Sequence, residues 1–126
     1  MSPAVTVGLL ITCVFLLRLP SALVPRELNV DESHLLSQAM KFVNDPRPWI
    51  AADTTSSGPL NSYLIAVCLW MGFKAGFVLV HILANILVSL QVAIAYFTLR
   101  RLAPQKAALL GTLLIVIFYG VAVDKD

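Results

Sequence analysis

The charged residues of this chain are bunched, and the gaps between them constrain its fold more than any motif. No Asp, Glu, Lys or Arg precedes Arg18, none falls in the 25 residues between Lys74 and Arg100, and none in the 17 between Lys106 and Asp124. Uncharged apolar runs of this length read as membrane spans. Composition agrees. The 126 residues are 59% hydrophobic and 13% charged, whereas a soluble domain is about half apolar and a quarter charged. The expected fold class is therefore an all-α integral membrane protein. Three transmembrane helices, at about 4–24, 75–99 and 107–123, are joined by a large extracytoplasmic loop, 25–74.

Several function classes drop out at once. A net charge of +2, with no basic cluster interleaved with aromatics, excludes nucleic acid as a partner. Cys13 and Cys68 form no CxxC pair and read as two buried free thiols. The segment before residue 24 has no basic n-region and is longer than a signal h-region of roughly 7–15 residues, so it reads as an uncleaved first span.

The loop contains two predicted helices. Residues 31–43 are amphipathic: Leu35, Leu36, Ala39, Met40 and Val43 fall on one face, and Glu32, Ser33, Ser37, Gln38 and Lys41 on the other. Such a helix suits the plane of a membrane interface, and Asp45-Pro46-Arg47-Pro48 stops it. Trp49 reads as an interfacial anchor. The stretch 59–73 is apolar but only about 22 Å long as a helix, short of a hydrocarbon core of about 30 Å. It is expected to be interfacial or re-entrant. The loop 100–106, with Arg100, Arg101 and Lys106, decides the orientation, because short basic loops stay cytoplasmic. The N-terminus is then cytoplasmic, and Asp31-Glu32 and Asp124 face the outside together. A multi-pass membrane location follows from this reading.

Each candidate residue has two readings. Asn29 and Glu32 match a capping box, which accounts for Glu32 better than for Asp31. Asp31 stands at the open end of a helix facing water, where a general base or metal ligand belongs. His34, one turn on, either pairs with Asp31 at a metal or is a solvated surface histidine; the solvated reading is preferred. Asp53, ahead of Thr54-Thr55-Ser56-Ser57, caps the next helix or opens a sugar- or phosphate-binding loop. Arg18 snorkels as an anchor or faces a lipid phosphate. His81, Asn85 and Ser89 recur at i, i+4 and i+8 and form a polar stripe read as helix–helix glue.

Taken together, Asp31-Glu32, Asp53 with Gly58-Pro59-Leu60 and Tyr63, Arg100-Arg101-Leu102 and Asp124 resemble the N-terminal part of the GT-C membrane glycosyltransferases. The likeness is to the branch of protein O-mannosyltransferases and lipid A aminoarabinose transferases. It implies a polyprenyl-phosphate sugar donor and transfer on the extracytoplasmic face. That the membrane is the plasma (inner) membrane is implied by this resemblance only. It also implies Asp31 and Glu32 as catalytic carboxylates. Arg18, Asp53, Ser57, Tyr63 and Asp124 are the expected substrate-binding residues. Members of that family differ in their use of a divalent cation, so the metal stays open and no ligand to one is assigned. Such enzymes have around a dozen spans, so the chain is expected to be an N-terminal piece, inactive alone. The rival reading is a small non-enzymatic membrane subunit or assembly factor; a transporter fragment ranks behind it.

Overall fold

The computed structural model describes residues 2–47 and 60–121. Those residues form five helices and no strand: α1 (Pro3–Ala22), α2 (Val30–Asn44), α3 (Leu60–Trp70), α4 (Phe77–Leu102) and α5 (Gln105–Val121). The all-helical expectation holds. By length and composition α1 and α4 are long and apolar enough to cross a membrane, while α3 and α5 are shorter apolar helices. Helix α5 has 17 residues, about 26 Å at 1.5 Å per residue, the same length as the third span expected at 107–123 and displaced from it by two residues. The chain divides into two compact units, one of residues 1–23 with 84–126, the other of residues 24–83.

The first unit is a three-helix arrangement. Ser2 caps α1 by accepting the Val5 N–H, and Pro3 occupies the first turn, where its missing N–H is not needed. Pro20 removes the amide that would bond the Leu16 carbonyl, and α1 ends two residues later. A two-residue turn, Ala103-Pro104, reverses the chain between α4 and α5. Near one end, Gln105 and Leu109 share a groove with Thr6 and Leu10. Near the other, Nη1 of Arg18 donates to the Tyr119 carbonyl at 2.8 Å. Helices α1 and α5 therefore run parallel, and α4 runs antiparallel to both. The core comprises Val7, Leu10 and Val14 of α1, Val92, Ala93 and Tyr96 of α4, and Val116 of α5. Leu16, Leu90, Ile94, Leu114, Ile117 and Phe118 point outward, each at least half exposed. An apolar exterior this extensive is the reverse of a water-facing surface. Cys13 is exposed rather than buried and Cys68 is half-buried; both are free thiols. Cys13 lies on the outward side of α1, which the apolar sequence around it does not reveal.

The second unit packs α2 against α3 and the start of α4. Ala39, Phe42, Ile65, Ala66 and Val80 form its core. The stacked rings of Phe42 and Tyr63 lie 4.2 Å apart. The buried face of α2 differs from the expected one. Met40 and Val43 are exposed, whereas Phe42 and Gln38 are buried. A polar residue can occupy that face because Gln38 is satisfied there: its Oε1 accepts from the buried Ser62 hydroxyl at 3.0 Å. Helix α3 ends in a Schellman motif. The Phe73 N–H donates to the Cys68 carbonyl and the Gly72 N–H to the Leu69 carbonyl. Gly72 takes the φ of +91° that this cap requires.

Candidate functional site

The site is built on the first turn of α2. Its amides need acceptors, because the first four N–H groups of a helix have no intrahelical partner. Asn29 supplies one, accepting the Asp31 N–H at 3.1 Å. Glu27 supplies another, accepting the Ser33 N–H at 3.2 Å. Glu32 does not close the expected capping box onto Asn29. Its Oε2 reaches one residue further back and accepts the Leu28 N–H at 2.8 Å.

The same Oε2 lies 2.9 Å from Nε2 of His81, at the start of α4. An ionised carboxylate only accepts, so His81 holds its proton on Nε2 and donates it. His81 is buried and Glu32 is partly so, with side-chain exposures of 6% and 16%. One carboxylate oxygen thus fastens the start of α2 to the start of α4. Nδ1 of His81 is buried and has no hydrogen-bond partner among the described residues. The remaining members of the polar stripe serve the other unit. Nδ2 of Asn85 donates to the Phe15 carbonyl at 3.2 Å, and the Ser89 hydroxyl bonds back to the Asn85 carbonyl.

Asp31 is treated differently by the fold. Its residue is exposed, and its carboxylate makes no hydrogen bond or ion pair among the described residues. The helix dipole favours its charge, and its backbone is pinned by the Asn29 cap. Its backbone is anchored, and its carboxylate is open to solvent with no partner among the described residues.

His34 is not the solvated histidine expected from sequence. It is half-buried, and its Nε2 lies 2.7 Å from Nε2 of Gln38. Because Oε1 of Gln38 is engaged by Ser62, the amide presents its N–H₂ to His34, whose Nε2 accepts. No group of three or more metal-binding side chains occurs among the described residues. Tyr63, expected to touch substrate, donates its hydroxyl to the Pro46 carbonyl and so ties α3 to the end of α2. At that end, Arg47 forks onto Asp45 at 2.9 and 2.7 Å. The guanidinium holds the Asp45 carboxyl down to about 2.

Arg18 belongs to the other unit, half-buried and bonded to a carbonyl in the last turn of α5, where a cation suits the negative end of the helix dipole. Asp53, Ser57 and Asp124 lie outside the described residues, as does Trp49.

The pairing of Glu32 with His81 is absent from the sequence reading. The available signal was the ionisable residue in an apolar helix, which demands a named partner. Sequence spacing places Glu32 in the cap, the family resemblance places it among the catalytic carboxylates, and His81 falls in the polar stripe, so neither residue points to the other. Comparison with family models, curated proteins and solved structures finds no match to this chain, and no family is assigned.

Proposed function

We propose that this chain carries the carboxylate side of a glycosyl transfer at the extracytoplasmic membrane face, from a polyprenyl-phosphate sugar to a hydroxyl acceptor. The observation that carries this reading is the contrast between two adjacent acids. Glu32 is consumed in holding the turn, while Asp31 sits on that anchored turn with its carboxylate oxygens free of partners among the described residues. A general base needs open access from an anchored element.

In this reading α1, α4 and α5 cross the membrane, and α2 and α3 lie at its outer face. The antiparallel run of α1 and α4 within the first unit supports it. The segment between them must leave and return at the same end, so α3, about 16 Å long, need not cross. The basic turn around Arg100, Arg101 and Lys106 then falls inside. The N-terminus is cytoplasmic and the location is a plasma membrane.

Asp31 takes the proton of the acceptor hydroxyl. The acceptor oxygen bonds the anomeric carbon as the bond from that carbon to the lipid phosphate oxygen breaks. The lipid phosphate leaves with the electron pair. Glu32 and His81 position the turn and touch no substrate.

Because the chain is expected to be inactive alone, the test reconstitutes it in proteoliposomes with solubilised membrane proteins of its own cell. It adds a panel of polyprenyl-phosphate hexoses and pentoses and a hydroxyl acceptor, and follows release of polyprenyl phosphate above that of the extract without the chain. Asp31→Asn is expected to slow release by about a hundredfold or more without altering unfolding. No release by the unaltered chain from any donor, or an undiminished rate in Asp31→Asn, rejects the assignment.

A further inference from the structure

Around the turn between α4 and α5 the charge of the first unit is unbalanced among the described residues. Its described residues include Arg18, Arg100, Arg101 and Lys106 but no Asp or Glu. Arg18 is engaged at the far end by the Tyr119 carbonyl. The other three fall within seven residues around one turn, and none has an acidic partner among the described residues. The first turn of α5 adds to the excess. It contains Lys106 and no acid, so the positive end of that helix dipole is uncompensated.

A groove adjoins this charge. It has a volume of about 370 Å³ and is lined by Ile94, Phe97, Thr98, Arg101 and Leu102. The residues follow one face of α4 at steps of three and four, so the groove runs along the helix axis. Phe97 and Ile94 are at least half exposed and Leu102 more so. Thr98 is exposed, and its hydroxyl makes no hydrogen bond among the described residues. Thr6, Ser89 and Thr112, by contrast, each return their hydroxyl to the carbonyl four residues back.

We infer that this groove binds an anionic phospholipid of the cytoplasmic leaflet. The phosphate sits on Arg101, whose planar fork matches two phosphate oxygens, with Lys106 and the Thr98 hydroxyl beside it. One acyl chain lies along Phe97 and Ile94. The charge argues for this occupant: three cations without an acidic partner among the described residues attract an anion, and the apolar wall beside Arg101 suits an anion that carries a hydrocarbon chain. Basic residues immediately cytoplasmic of a membrane helix attract acidic lipids for the same reason.

The inference rests on the membrane-spanning reading above, and the experiment separates the two. The full chain is reconstituted in nanodiscs of equal phosphatidylglycerol and phosphatidylcholine, and lipid retained on the released protein is counted by native mass spectrometry. Phosphatidylglycerol is expected to be retained about fivefold over phosphatidylcholine, the gain of roughly one surface charge. Arg101→Gln is expected to abolish the preference and Arg101→Lys to keep part of it, with thermal unfolding in lipid-free detergent unchanged for both. Equal retention of the two lipids, or an undiminished preference in Arg101→Gln, overturns the site. Loss of the preference in millimolar inorganic phosphate at constant ionic strength identifies a free-phosphate site and overturns the lipid assignment. Release of the chain from membranes by alkaline carbonate overturns the spanning reading, and this site with it.

Discussion

Glu32→Ala is the sharpest perturbation the second unit offers. In the native structure a single oxygen, Oε2, accepts from the Leu28 amide at 2.8 Å and from His81 at 2.9 Å. Removing it leaves two donors without a partner, one of them on a side chain only 6% exposed. Each orphaned buried donor costs about 1–3 kcal/mol, so the two together cost about 2–6 kcal/mol. Because Glu32 keeps some contact with water, the low end applies, about 3 kcal/mol. Glu32→Gln is different. A carbonyl oxygen in the same place retains both bonds and loses only the charge assistance, about 1 kcal/mol. The assay is native-state hydrogen exchange of the α2 amides from Gln38 to Lys41 in detergent micelles. At 1.4 kcal/mol per decade, Glu32→Ala raises their opening constant by about a hundredfold, and Glu32→Gln by several-fold. A double-mutant cycle with His81→Ala then gives a coupling of about 1–3 kcal/mol. Protection in Glu32→Ala within threefold of the unaltered chain, or strictly additive single costs, refutes the claim that this oxygen fastens α2 to α4.

Three further outcomes follow from the same structure. Ser62→Ala strands Oε1 of the buried Gln38 and is expected to cost about 1–3 kcal/mol; adding Gln38→Leu restores much of that in the same exchange assay. Asp45 titrates at about 2, below its ordinary 3.8, through the Arg47 guanidinium. A depressed carboxyl contributes stability above pH 3.8 that is lost as pH falls through about 2, so carbon-detected NMR of Arg47→Gln should show the Asp45 midpoint returning toward 3.8. Finally, a cysteine placed at Arg101, with Cys13 and Cys68 replaced by Ala, should react with an impermeant maleimide only after the membrane is opened; labelling from outside intact cells removes the three-crossing arrangement.

The helices were legible because their signals are local. The runs free of charge before Arg18 and between Lys74 and Arg100 correspond to α1 and α4. Asp45-Pro46 marks the end of α2, which stops at Asn44. The face of α2 was not legible. Hydrophobic spacing turned Met40 and Val43 inward and Gln38 outward, and the fold does the opposite because the Ser62 hydroxyl on α3 makes a buried place for an amide. His34 was misread for the same reason, since its partner Gln38 was assigned to the wrong side.

The candidate site divides along the same line. The acids at the mouth of α2 could be picked out because ionised groups beside apolar segments are costly and conspicuous. Which of the two remains available for chemistry depended on His81, 49 residues further along the chain. Transfer from water is a property of each residue, so the order of residues alone determined which segments become helices and shun solvent. A hydrogen bond depends on two atoms meeting at about 3 Å, so only the packed helices decided that Glu32 is engaged and Asp31 is free.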